Sequence, residues 1–464
     1  MKKIFIPLII LIGIYACTQA TRPTEKEDTL YNAFCYNGDS NSNLCPVLPP
    51  EIALTLGFDY HTDSVPSPVF QPPFDAFSWQ TFIALNWPAD KMGNPIGNAI
   101  TDSPNAMRVW EFYKDPLLAF NNSPVLLLHL QSATSNNLKF LYQDSKIPTD
   151  FKTKDDGTFT EADGKPLADR NGNFALFEIK INSVEDTFIT NNKLNTNAGI
   201  YKYVLDHNSL AQGLQLPVSD TGGGMINDGA IEIKAAWRIM NTEKGDDTTQ
   251  YYCRRALIFV DSAHTANHQP MQVWATVGLV GMHIIRNISR FDEFLVWSTF
   301  EHVSNAPDKG KEGQGGPWSF FSSNSSNPVN TPPAHVPSDE GNFRWNTVQP
   351  YAALYYSQYG TQVVREKPVF DITEQINKKW QAKLANTVWA NYKLIGTQWQ
   401  INTRGEVETP APAYLANTTM ETYMQGTASC IGCHSGASVR FVPKPGDTVN
   451  INTDFSFLFP FNAR

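Results

Sequence analysis

The chain has 464 residues, a formal net charge of −9 and 41% hydrophobic residues, enough apolar content for one large body or two to three ordinary domains. This acidic balance argues against a nucleic-acid partner and against a basic membrane-binding face, while leaving an acidic surface compatible with a basic protein partner. Beyond the first residues no run approaches the roughly eighteen apolar residues of a membrane-spanning helix.

The N-terminus reads as a targeting segment. Lys2 and Lys3 supply a positive start, and Ile4 to Ile14 is almost unbroken apolar sequence that leads to the small residue Ala16. Such a run is too short for a permanent span and fits an export signal. The string Ile14-Tyr15-Ala16-Cys17 resembles the lipobox of bacterial lipoproteins, in which the cysteine is acylated and becomes the new N-terminus. Tyr15 is bulkier than that pattern usually carries, and an ordinary secretory signal cut nearby is the alternative. The resemblance implies a signal peptide over 1–16 and a lipid anchor on Cys17. Thr18, in place of an aspartate, points to an outer-membrane lipoprotein on the periplasmic or cell-surface side.

Residues 17–70 form a polar, proline-punctuated tether. Within it Cys35 and Cys45 lie in a Gly/Asn/Ser-rich stretch where a local disulfide is expected in an oxidising compartment. Of the six cysteines, Cys253 is left as a buried free thiol.

A β-rich body is expected over 71–365. It opens with a helix from Phe74, capped by Asp75 and stopped by Pro88, with apolar residues recurring at three and four. Asn171-Gly172 marks a hairpin turn, because both residues tolerate positive φ. A calcium loop would also use Asp169, Asn171 and Asn173, but the later glutamate of such a loop is missing. Ala175, Phe177, Ile179 and Ile181 then alternate as a strand. Further strands are expected at Ile231–Met240, Tyr251–Asp261, Gln272–Ile285 and Phe294–Val303. In the first of these Ile231, Ile233, Ala235 and Trp237 point one way and Glu232, Lys234 and Arg238 the other, a half-buried antiparallel pattern. Residues 304–345 read as a long loop rich in Gly, Pro, Ser and Asn, a lid or an insert.

The C-terminal region, 366–464, begins with a helix from Asp371, boxed by Glu374 and striped by Ile376, Trp380, Leu384 and Val388. A second short helix is expected from Thr418, with Glu421, to Gly426. No internal repeat is present. The fold class that follows is α+β: a β-rich antiparallel body, peripheral helices and a small helical C-terminal attachment segment.

The chemistry concentrates in Cys430-Ile431-Gly432-Cys433-His434. Two thiols at this spacing can form thioethers with the two vinyl groups of one haem, and the next histidine then falls beneath the iron as proximal ligand. The export signal takes the chain to the compartment where such attachment occurs. A thioredoxin-like pair would need C-x-x-C opening a helix after a buried strand, whereas a polar segment and Gly426 precede it here. A structural zinc site would need two further ligands, and residues 435–464 contain no Cys or His. Residues 417–437 resemble the haem segment of large bacterial proteins of the cytochrome c family, and the strings Ser78 to Pro88 and Trp297 to Val303 are similar to that group as well. The resemblance implies one covalent haem c and electron transfer, with no substrate specified.

Small soluble cytochromes c place this motif early and supply an axial methionine later. Here nothing after His434 can do so, and distal candidates must lie upstream: Met282, His283, His302 and Met424. Met420 is a further candidate; it shares a helical face with Met424 and Tyr423, and both methionines read first as core packing. Glu301 and His302, adjacent on a strand, face opposite ways and cannot form one distal acid–base pair. Arg238, Arg254 and Arg286 are available cations. The leading function is that of a lipid-anchored mono-haem electron carrier with a redox protein partner and no nucleic acid. One alternative is a peroxidase-like haem oxidoreductase with an open iron position. Another is a binding module using Trp274, Trp297 or Trp318 on a carbohydrate or protein.

Overall fold

A computed structural model of the protein describes residues 44–52, 71–120, 139–143, 165–220, 227–288, 294–332, 344–352, 360–400 and 410–463. The helices are α1 (Gln71–Leu85), α2 (Pro116–Phe120), α3 (Ser183–Asn191), α4 (Asn197–Asp206), α5 (Asp371–Lys383), α6 (Cys430–His434) and α7 (Leu458–Asn462). The strands are β1 (Lys139–Gln143), β2 (Leu176–Ile181), β3 (Ser219–Asp220), β4 (Asn227–Asp228), β5 (Ile231–Ile239), β6 (Cys253–Val260), β7 (Met271–Ile288), β8 (Phe294–His302), β9 (Tyr392–Gln400), β10 (Pro410–Ala411), β11 (Ser438–Phe441) and β12 (Val449–Asn452). All but the last two belong to one ten-stranded sheet, so the fold is α+β with a β-rich body.

The long strand β7 organises that sheet. It pairs antiparallel with β6 over Met271–Gly278, with β5 over Val277–Arg286 and with β8 over Gly281–Ile288. Antiparallel pairs dominate, but β1–β6 and β3–β7 run parallel, making the sheet mixed. β9 pairs with β8. The C-terminal region therefore contributes a strand to the main sheet and does not stand apart from the body.

One face of the sheet carries the expected apolar stripe. Ile231, Ile233, Ala235 and Trp237 of β5 bury with Met282 and Ile284 of β7 and Phe300 of β8 against α1 and α5. Aromatic contacts tie these layers: Phe82 stacks on Phe300 at 4.2 Å, and Trp79 meets Phe300 edge-on at 5.1 Å and Trp380 at 6.2 Å. α1 is buried nearly all round because it lies between β9 and α5. It starts at Gln71, earlier than the sequence suggests, so Asp75 is not a cap. Its carboxylate instead accepts hydrogen bonds from Gln71 Nε2 (2.8 Å), Thr373 Oγ1 (2.7 Å) and Thr397 Oγ1 (2.8 Å), joining α1, α5 and β9.

The polar face does not remain open. Glu232 and Arg238 of β5 are buried, as are Thr299 and Glu301 of β8 and Gln398 of β9. Segments 360–366 and 412–456 cover this side and bond Glu301, Gln398 and Glu232, while Arg238 bonds Asp169 and Asp246 and Thr299 bonds His283. A second cluster joins α2, α3 and α4 to the β11–β12 hairpin and α7 through Ile189, Ile200, Val439, Ile451 and Phe459.

The turn at Asn171-Gly172 forms, with Gly172 at φ +81°. Asp169 Oδ1 accepts from the backbone N–H groups of Asn171 and Asn173 at 2.9 and 2.8 Å. Its Oδ2 accepts from Arg238 Nε at 3.0 Å, so a guanidinium occupies the place a cation would take. Residues 304–332 contain neither helix nor strand, yet Ser319 and Phe320 are buried. Residues 44–52 of the tether pack on the body, where Pro49 O accepts from Arg286 at 2.8 Å and Ile52 is fully buried. Cys17 and Cys35 lie outside the described residues, so the lipid site and the Cys35–Cys45 disulfide remain expectations; Cys45 itself is buried. Among the described residues no helix is long and apolar enough to cross a membrane.

Candidate functional site

α6 is a single turn whose start is set by Ser429, with extended backbone and a side chain that accepts from Gly432 N at 3.1 Å. A turn of this kind brings positions i, i+3 and i+4 to one side. Cys430, Cys433 and His434 therefore project from a common side of α6. Cys430 is half-buried between two apolar groups, one containing Ile285, Trp297 and Phe455 and the other Val369, Ile395 and Leu415. Cys433 is exposed, and both cysteines are free thiols.

His434 is half-buried and held on three sides. Its ring meets Trp297 edge-on at 4.4 Å and Phe457 at 5.2 Å. Its Nδ1 lies 2.7 Å from the carbonyl oxygen of Phe455. A carbonyl only accepts, so Nδ1 carries the proton and Nε2 bears the lone pair. Burial lowers the imidazole pKa to about 4, opposed by the Phe455 hydrogen bond, and the ring is neutral at physiological pH. Burial, followed by the charge of Glu421, pushes the Cys430 thiol well above its ordinary value. That is the opposite of the lowered thiol pKa of a redox-active nucleophile.

The sheet's polar face anchors this turn. Gln398 Oε1 accepts from Ile431 N at 3.0 Å, while its Nε2 donates to Pro412 O at 2.6 Å and Ser429 Oγ at 3.1 Å. Glu301 accepts from Thr418 N and Thr418 Oγ1, both at 2.6 Å, and is ion-paired with Arg365. Glu421 accepts from Asn417 N at 2.8 Å and lies 3.0 Å from His283 Nε2. With Thr418 committed to Glu301, residues 418–426 fold as successive turns and not as the expected helix. Gly281 lets them approach, because a Cβ there would lie 2.4 Å from Thr419 Oγ1.

The distal candidates separate clearly. Met282 faces the apolar core on the opposite side of the sheet from α6, because alternate residues of β7 point opposite ways. His283 is on the α6 side, with Nε2 on Glu421 and Nδ1 hydrogen-bonded to Thr299 Oγ1. His302 donates from Nε2 to Gln250 O at 2.9 Å and accepts at Nδ1 from Ser304 N at 3.2 Å; it stacks on Tyr251 at 3.8 Å, and burial lowers its pKa to about 4. Met424 is half-buried, and Met420 is fully buried in a core cluster. Glu301 and His302 face opposite ways, as their adjacency on a strand requires.

The three arginines have structural partners: Arg238 binds Asp169 and Asp246, Arg254 lies 3.4 Å from Glu111, and Arg286 bonds Pro49 O. Among the tryptophans Trp274 is 48% exposed, with Arg255 over its ring, whereas Trp297 is buried beside His434. The Trp297 indole Nε1 is buried without a hydrogen-bond partner among the described residues. Cys253 is half-buried, its Sγ 3.5 Å from Thr248 O.

Gln398, Trp297, Phe455 and Glu421 are the supporting residues that sequence reasoning did not place. They come from four distant parts of the chain, and the strand carrying Gln398 was not anticipated. Among the described residues no group of three or more His, Cys, Asp or Glu side chains is placed to hold a metal ion. Compared with known proteins, the chain matches no family model, no curated protein and no solved structure.

Proposed function

We propose that this chain carries one haem c, joined through Cys430 and Cys433 with His434 as proximal ligand, and acts as a lipid-anchored electron carrier of the periplasm or outer membrane. The observation that supports it most is the Phe455 carbonyl on His434 Nδ1, which holds the proton on that nitrogen and leaves the Nε2 lone pair of the buried, neutral ring for iron. Two reduced thiols on the same helical turn suit thioether attachment, and the Trp297 indole N–H, without a partner among the described residues, suits a polar group of a bound cofactor. Haem iron, when bound, supplies a one-electron change. The residues of this chain orient the imidazole, seat Cys430 in apolar surroundings and leave Cys433 exposed. The resemblance of residues 417–437 to the haem segment of bacterial cytochrome c proteins supports the same reading.

A second reading, a haem oxidoreductase with an open iron position, is favoured by one observation: Met282, His283 and His302 all have other engagements. The two readings part on the visible spectrum. Low-spin iron unaffected by cyanide supports a carrier, and high-spin iron that binds it supports an enzyme.

The test of attachment is intact mass and haem stain on the native exported protein. One porphyrin mass is expected in the wild type. Cys433→Ser should lose one thioether, and Cys430→Ser with Cys433→Ser should lose the stain altogether. A wild-type protein without added porphyrin mass would end both readings.

A further inference from the structure

A small cleft opens beside the histidine, lined by Leu216, Glu232, Ile285, Trp297, Asp454 and Ser456 among others. Glu232 reaches it from β5. It sits in a row of paired residues that runs across the polar face: Glu232 opposite Ile285, Ile285 opposite Trp297, and Trp297 opposite Gln398. The far end of that row is the motif's own support, since Trp297 touches the His434 ring and Gln398 holds Ile431 N. Two strand spacings separate Glu232 from Trp297, roughly 10 Å.

Behind Glu232 lies Glu185 of α3, with no exposed surface and no hydrogen-bond partner for either carboxyl oxygen among the described residues. The charged groups acting on this pair are Asp454, from the turn after β12, and Asp186 on α3, which is itself held by Lys114 at 2.8 Å. Among the described residues, the largest charge effects on both glutamates come from other carboxyls. Two neighbouring buried carboxyls cannot both be ionised at modest cost, so they retain a proton between them. Burial raises Glu232 to about 7, opposed by Ser456, and burial with the charge of Glu232 raises Glu185 well above the ordinary carboxyl range.

We propose that the Glu185–Glu232 pair is a proton-holding site coupled to electron transfer at His434, taking up a proton from solvent when the site gains an electron from its one-electron donor and releasing it on reoxidation. The inference rests on the haem reading above. Its physical cause is charge: one added negative charge in a weakly screened interior raises the proton affinity of a carboxylate nearby. Glu232 lines the cleft and is itself 8% exposed, so the pair meets solvent on its side. His434 is not among the residues lining it and keeps its own proton on Phe455 throughout.

The test is the midpoint potential of the full-length haem-loaded protein, followed by spectroelectrochemistry from about pH 5.5 to 8.5, for wild type, Glu232→Gln and Glu185→Gln. The wild-type potential should fall as pH rises, by up to about 59 mV per pH unit where one proton follows one electron. Both variants should flatten that slope, and the redox infrared difference spectrum should lose a protonated-carboxyl band. A flat wild-type profile overturns the proposal, as does a wild-type slope retained in both variants, which would assign the proton to haem propionates. If only one variant is well folded, that variant alone decides. A protein lacking porphyrin mass fails the haem reading itself, whereas a loaded protein with a pH-independent potential fails only this inference.

Discussion

At Gln398 a single carboxamide makes three contacts with the segment that carries the two thiols, bonding Ile431 N, Ser429 Oγ and Pro412 O. The side chain is buried, so deleting its polar atoms leaves partners unsatisfied, each costing about 1–3 kcal/mol. Gln398→Met should therefore loosen 412–434 by roughly 2–3 kcal/mol and speed hydrogen exchange at Ile431 N, with β7 unchanged. Unchanged exchange at Ile431 would remove Gln398 from this role. Cys430, Cys433 and His434 could be read from the chain because their chemistry is contiguous. Gln398 could not, because its value lies wholly in what a distant segment brings to it. His283 and His302 looked alike as ligand candidates, and only their partners, Glu421 with Thr299 and Gln250 with Ser304, distinguish them.

Among the elements, α1 shows how an acidic residue at a plausible cap can serve a different end. Burial raises the Asp75 carboxyl from 3.8 to about 6, against the hydrogen bonds from Thr373, Gln71 and Thr397. The folded state thus holds this proton more tightly than the unfolded chain. Its contribution to stability is full below about pH 4 and is lost as pH rises through about 6. A shift of about two units corresponds to roughly 3 kcal/mol. Urea unfolding of wild type and Asp75→Asn across that window should show this decline in the wild type only; parallel profiles would mean that the group titrates normally. The docking of residues 417–420 on β7 makes a second case. At Gly281 a Cβ would press on Thr419 Oγ1, whose hydrogen bond to Asn417 Oδ1 is 2.7 Å. Gly281→Ala should lower stability by about 1–3 kcal/mol, measured by denaturant unfolding, and a neutral effect would show that Thr419 rotates away freely.

For the molecule as a whole, the governing feature is a sheet covered on both sides by different means. Aromatic and aliphatic packing closes the face beneath α1 and α5. Hydrogen bonds from Glu301, His283 and Gln398 close the other, where the C-x-x-C-H turn lies. Arg238, buried between Asp169 and Asp246, braces the turn at one end of that face. The proposed anchor is tested at this scale. Cys17→Ala should move the exported protein from the membrane fraction to the soluble fraction, and equal membrane retention would remove the lipid from the proposal.

The strands of the body were legible from alternation, since period-two polarity is a property of neighbouring residues in the chain; β5, β6, β7 and β8 fall within a few residues of where the sequence puts them. The helix at Asp371 and the turn at Asn171-Gly172 were readable for the same reason, as were the thiol–thiol–imidazole spacing and the net charge. What tertiary structure alone decided was the fate of the polar residues. Glu232, Glu301 and Gln398 are polar residues of strands yet lie buried, because segments near the C-terminal end of the chain satisfy or surround them, while Arg238 is buried between Asp169 and Asp246. The tautomer of His434 likewise depends on Phe455, a carbonyl whose position no local pattern encodes. Hydrophobic periodicity is written locally, whereas a hydrogen bond's partner is chosen only when distant parts of the chain meet.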